Sequence, residues 1–140
     1  MRVLSFLLLQ ILLFTNLSGQ APVDQAKKEA LQDTLVKDPV LFLKLASRQL
    51  KWEEPAVPVH IAGPIYFVGT KGLASYLIKT SKGLIVLYTG MPSSGPMIEK
   101  SISALGFNPK DIKLLLTGHA HSDHIGGHKY LQEISGAKVV

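Results

Sequence analysis

Thr117-Gly118-His119-Ala120-His121-Ser122-Asp123-His124-Ile125-Gly126-Gly127 is the stretch that decides how this chain is read. Together with His128 it holds four of the five histidines. It directly follows Ile112–Leu116, a nearly continuous apolar run and therefore the pattern of a strand buried on both faces. Residues 118–127 then read as a loop at a strand end, where a rigid scaffold commonly presents functional groups. In an extended stretch side chains repeat every two residues, so His119 and His121 point to the same side and can grip one ion together. The chain next turns, which sets Asp123 and His124 toward a second ion. Gly126 and Gly127 have no Cβ to obstruct that turn.

Imidazole and carboxylate are donors that suit zinc. Two ions about 3.5–4 Å apart can share a bridging hydroxide, and zinc brings the pKa of bound water down to about 7, which makes a nucleophile at neutral pH. The absence of Cys excludes thiolate zinc sites, iron–sulfur clusters and cysteine nucleophiles. Any metal must be held by His, Asp or Glu. His128 lies four residues past His124 and reads as helix surface, and His60 reads as a structural residue of a strand entry.

Working outward, the order of elements is strands, helix, strand, loop, helix, strand. Val59–Ala62, Ile65–Val68, Ser75–Thr80 and Leu84–Tyr88 are short runs rich in β-branched and aromatic residues, separated by turn residues. They predict antiparallel hairpins. Ser94 can cap a following helix, with Pro96 in its first turn, Ile98, Ile102 and Leu105 on one face, and Gly106 past its end. Tyr130, Leu131 and Ile134 mark a second amphipathic helix ended by Gly136, and Ala137–Val140 begins another strand. This is an α/β pattern, a sheet with helices packed on it. Upstream, residues 23–50 read as helix, with Asp38 as an N-cap and Pro39 at the first helical position. Trp52, Pro55 and Pro58 mark an extended entry to the sheet.

The start of the chain has a different character. Met1-Arg2 is a short basic lead, and Val3–Phe14 is twelve residues without a charge. Ser18, Gly19 and Ala21 then offer small residues for cleavage. This is the layout of a secretory signal peptide. The run is shorter than the roughly 20 apolar residues a spanning helix needs, so no stable membrane anchor is expected. The expected division is a signal peptide over 1–20, a helical extension over 21–51 packing on the main domain, and the domain itself from 52 to 140. The product would be secreted or periplasmic. Net charge is +5 over 140 residues, and basic residues are interleaved with acids. No run of three Lys or Arg occurs, which argues against a nucleic-acid partner.

At His119-x-His121-x-Asp123-His124 the sequence resembles the metallo-β-lactamase superfamily. Gly63–Thr70, Gly72-Leu73, Tyr76–Ile78, Gly83–Ile85, Leu105–Phe107 and Asp111–Lys113 are similar to the third subclass of zinc β-lactamases. The likeness covers Trp52 to Val140. It implies the αβ/βα four-layer sandwich, of which these residues would form the N-terminal half. It also implies that His119 and His121 bind one zinc, and that Asp123 and His124 bind a second. A hydroxide between the two ions would open a β-lactam amide, a small-molecule substrate, with Asp123 as the catalytic residue that orients it and relays a proton. Two departures stand out. Where the superfamily carries Leu-Asp-x-Gly, this chain reads Leu87-Tyr88-Thr89-Gly90. A catalytic zinc needs three protein ligands and this stretch offers two per ion, so the expectation is the N-terminal part of a longer enzyme, inactive by itself. The other readings are a lactonase or thioesterase of the same superfamily, and a truncated zinc-binding fragment without catalysis.

Overall fold

Strict alternation builds the centre of the molecule. In the computed structural model, which describes residues 25–140, Leu77, Leu84 and Val86 are buried while their neighbours Tyr76, Ile78, Ile85 and Leu87 are half-buried. The signal peptide expected over 1–20 lies outside the described residues. The chain divides into two compact units, Met1–Leu45 and Ala46–Val140.

In the first unit, α1 (Gln25–Lys37) is exposed over nearly its whole length. Its polar surface is held by pairs one turn apart, such as Lys37 with Asp33 at 2.6 Å. α2 (Pro39–Gln49) begins as expected, with Asp38 Oδ1 accepting the Leu41 amide at 3.0 Å, and its last turn from Ala46 onward belongs to the second unit.

The second unit is organised on one six-stranded sheet whose strands lie in chain order. β1 (Val59–Ala62), β2 (Ile65–Phe67), β3 (Tyr76–Thr80) and β4 (Gly83–Leu87) are antiparallel neighbours, as the hairpin pattern requires. β5 (Ile112–Leu116) then pairs parallel to β4, and β6 (Lys138–Val139) parallel to β5. Parallel pairing needs a crossover, and two helices provide it. These are α3 (Ser94–Ala104) between β4 and β5, and α5 (His128–Ser135) between β5 and β6. Ile98 and Ile102 of α3 and Leu131 of α5 pack with Val68, Leu77, Leu84, Val86, Ile112 and Leu115 into one core. Tyr130 of α5 donates its hydroxyl to Glu99 of α3, which ties the two helices together.

Two local expectations change. Ser93, not Ser94, holds the N-cap position of α3, and its hydroxyl caps nothing. It donates instead to Glu53 Oε2 at 2.6 Å, while Ser47 donates to Oε1 at 2.7 Å. These two hydroxyls hold the Glu53 carboxyl below its usual range. β5 is not buried on both faces: Ile112 and Leu115 are buried, Lys113 is exposed, and Leu114 and Leu116 are half-buried. The helices cover one side of the sheet. The other side carries the cross-strand rows Ile78–Ile85–Leu114 and Tyr76–Leu87–Leu116, apolar and partly open.

Core burial sets the stability. Ile102 is fully buried beneath α3, so Ile102→Ala should cost about 2–5 kcal/mol in urea unfolding. Ile61→Ala on exposed β1 (52% accessible) should cost under about 0.5 kcal/mol.

Candidate metal centre

The parallel β4–β5 pair ends with Leu87 beside Leu116, and both strands release their loops at the same sheet edge. The Tyr88 amide donates to the Leu116 carbonyl at 2.9 Å, which extends the pairing by one residue. Thr117 then folds the next turn, accepting the His119 amide and donating to the His119 carbonyl at 2.9 Å. His121 remains extended (φ −77°, ψ 154°) at the N-cap position of a short helix, α4 (Ser122–Ile125). The stretch expected to be loop throughout thus contains a helical turn. Its carbonyl end has a partner that sequence spacing does not show: His124 O accepts the Thr89 amide at 2.8 Å.

The expected pair does converge. His119 Nε2 and His121 Nδ1 lie 2.7 Å apart, and the two exposed rings stand edge to face at 4.3 Å. The His124 ring joins them, 4.9 Å from His119. Asp123 Oδ2 lies 3.4 Å from His124 Nε2, both side chains partly exposed. Three imidazoles and one carboxylate therefore occupy a single loop surface. Among the described residues no three donors close on one point. The donor set fits a cation chemically, because two imidazole nitrogens already face each other and a carboxylate stands beside the third ring. The geometry brings together a pair of donors, not a complete ligand shell.

His128 corrects its sequence reading. It is only 8% exposed and is not helix surface. Its Nδ1 lies 2.6 Å from Thr89 Oγ1, and that hydroxyl also reaches His124 O at 3.4 Å. The arrangement that satisfies most groups has His128 Nδ1–H donating to Thr89 Oγ1, and Thr89 O–H donating to the His124 carbonyl. Nε2 then carries a lone pair and is buried with no partner. Burial pushes the His128 pKa below 6.5, which fits a neutral ring. The signal for this role, a histidine one helical turn past His124 and beside Gly-Gly, is too weak to read from sequence alone. His60 is structural as expected: its Nε2 contacts the Gly63 carbonyl at 2.9 Å and its ring packs on Tyr66.

The Gly-Gly pair matters for close approach and not for backbone freedom, since Gly126 has an ordinary helical φ of −56°. A Cβ on Gly126 would sit 2.5 Å from Pro92 N, and one on Gly127 2.6 Å from Thr89 O. The missing side chains let the histidine loop lie flat on the β4–α3 connection.

Comparison with known proteins places these features. Residues 68–140 match the metallo-beta-lactamase superfamily. The solved metallo-beta-lactamase GOB-18 of Elizabethkingia meningoseptica is 48% identical with a TM-score of 0.61, covering 63% of this chain and 33% of that one. BJP-1, a subclass B3 metallo-beta-lactamase of Bradyrhizobium japonicum, is 48% identical with a TM-score of 0.61, covering 64% and 34%. A metal-dependent hydrolase of Polynucleobacter asymbioticus is 35% identical over 72 residues, 49% of this chain and 24% of that protein. The chain thus spans about a third of the length of these solved relatives (33%) and about a quarter of the curated one (24%).

Two outcomes follow from this geometry. Gly127→Ala must displace the Thr89 carbonyl, and should cost about 1–3 kcal/mol in chemical unfolding. For His128 the folded pKa is depressed, so the unfolded chain takes up the proton first as pH falls. Its neutral burial stabilises fully above the unfolded value near 6.5 and is lost as pH drops from there toward the folded value. Unfolding midpoints measured at about pH 7.5 and about pH 5 should differ less in His128→Leu than in the parent chain.

Proposed function

The chain belongs to the metallo-β-lactamase superfamily, and we propose that it carries the first half of the metal site of a secreted zinc-dependent hydrolase whose substrate is a β-lactam. The observation that carries this reading is the convergence of His119 Nε2 and His121 Nδ1 at 2.7 Å, with the His124 ring beside them. The likeness to subclass B3 enzymes at 48% identity supports the substrate class, and the signal-like residues 1–20 support export. The half-buried apolar face of the sheet supports a four-layer sandwich in which a second sheet covers Ile85, Leu87, Leu114 and Leu116.

On this reading His119 and His121 would hold one ion, and Asp123 and His124 would hold a second. Zinc bound there supplies a hydroxide nucleophile at neutral pH and a positive charge for the oxygen that becomes negative during amide opening. The protein's part is positional. His119 and His121 present their nitrogens from one side of an extended segment. Asp123, partly exposed beside His124, would orient the nucleophile, take its proton and pass that proton to the lactam nitrogen as the C–N bond breaks. Thr89 fixes the carbonyl of His124 and so the height of the loop above the sheet.

A second reading, a zinc-binding chain without catalysis, is favoured by the lack of any three-donor group among the described residues. Two measurements separate the readings. Zinc titration of the 140-residue chain by calorimetry should show binding that His121→Ala removes and that His128→Ala retains. In a full-length enzyme that contains these residues as its own N-terminal part, carbapenem hydrolysis should fall at least about 100-fold in Asp123→Ala, the scale of losing one group that serves the transition state. Turnover of an acyl-lactone but not a carbapenem would replace the β-lactam assignment with a lactonase. No turnover of either would favour the second reading.

A further inference from the structure

Tyr88 adopts a left-handed backbone, φ 58°, at the last residue before the sheet edge. An aromatic residue does not take that conformation without compensation, and such outliers concentrate at functional sites. The backbone on either side is pinned: the Tyr88 amide donates to Leu116 O at 2.9 Å, and the Thr89 amide donates to His124 O at 2.8 Å. The result is a side chain turned out of the sheet and onto the histidine loop. The Tyr88 ring meets the His124 ring edge to face, centroids 5.2 Å apart. Its hydroxyl lies over Gly118, 3.4 Å from where a Cβ would stand. His124 in turn packs on His119, and His119 on His121. Four rings thus run in one continuous edge-to-face series with Tyr88 at its base.

A metal-binding histidine is usually oriented by a hydrogen bond from its other ring nitrogen. Among the described residues no hydrogen bond orients the His124 ring; Asp123 Oδ2, itself an expected ligand, lies 3.4 Å from its Nε2. The ring's plane is therefore set by packing. We propose that Tyr88 is a positioning residue for the metal loop, its ring holding the His124 imidazole by edge-to-face contact at the place where the superfamily pattern has a carboxylate. This rests on the reading of His124 as a ligand.

The test uses the full chain with Tyr88→Phe, Tyr88→Gly and Tyr88→Leu. Glycine adopts the left-handed backbone freely, and leucine keeps apolar bulk without a ring. In the metal-free protein, NMR should show the His124 ring protons shifted by an aromatic neighbour in the parent and in Tyr88→Phe. That shift should be lost in Tyr88→Gly and Tyr88→Leu. Zinc affinity by chelator competition should stay within about twofold in Tyr88→Phe and weaken about 10-fold in the two ringless variants. Unchanged His124 signals and affinity in a folded ringless variant would overturn the proposal. So would an equal loss in Tyr88→Phe, which would assign the effect to the hydroxyl. His124→Ala serves as the control: zinc affinity unchanged by that substitution would refute the ligand reading, while the metal-free NMR still judges the ring contact.

Discussion

One hydrogen bond holds the histidine loop to the sheet, from the Thr89 amide to the carbonyl of His124 at 2.8 Å. Everything at the site depends on it. β4 and β5 run parallel, so their C-terminal ends open on the same edge, and the residues after them must be tied together across a gap the ladder no longer spans. Thr89 makes that tie twice, through its amide to His124 and through its hydroxyl to His128. Gly126 and Gly127 permit the approach, because any Cβ there would displace backbone atoms of Thr89, Met91 or Pro92. A loop whose His119 ring contacts those of His121 and His124 has no hydrophobic reason to stay closed. The backbone anchor and the packing of α5 supply one.

The helices make the edge rigid. Ile98, Ile102 and Leu131 fill one side of the sheet with Leu84, Val86, Ile112 and Leu115, so the strand ends cannot slide relative to each other without opening a fully buried core. Ser93 and Ser47 add a second tie through Glu53, which joins the end of α2 to the start of α3. A site whose donors come from adjacent positions on one loop requires this kind of support. An error of one ångström in the base of the loop moves every donor at once.

Much of this arrangement can be read from residue types. The β-branched run Leu84–Leu87, the Asp38-Pro39 helix start and Gly136 after α5 are local signals, and each matches the element observed. What cannot be read depends on partners distant in the chain. Ser93 and Ser94 are interchangeable as caps until Glu53, forty residues away, claims the Ser93 hydroxyl. His128 resembles any polar residue in a first helical turn until Thr89, thirty-nine residues earlier, takes its Nδ1. The helical turn at Ser122–Ile125 forms where the His124 carbonyl meets the Thr89 amide, a contact no window of sequence contains. Tyr88 is visible as a departure from the superfamily pattern, but its backbone and its ring contact appear only in three dimensions.

The costs carried by the structure fall in one place. A left-handed aromatic residue forfeits about 1–2 kcal/mol of backbone energy, and the buried Nε2 of His128 forfeits a hydrogen bond it would make in water. Tyr88 contacts the His124 ring and His128 bonds the Thr89 that anchors the loop; buried Ser94 Oγ also lacks a partner. The remainder of the sheet shows no comparable strain, since every other non-glycine residue with positive φ among those described reduces to Lys51, at the exposed turn after α2. A core selected for stability alone would place leucine at position 128 and a glycine or asparagine at 88. Retaining a buried imidazole beneath the loop and an aromatic ring against His124 fixes the orientation of donors at the expense of folding energy, which is the exchange expected where geometry matters more than stability.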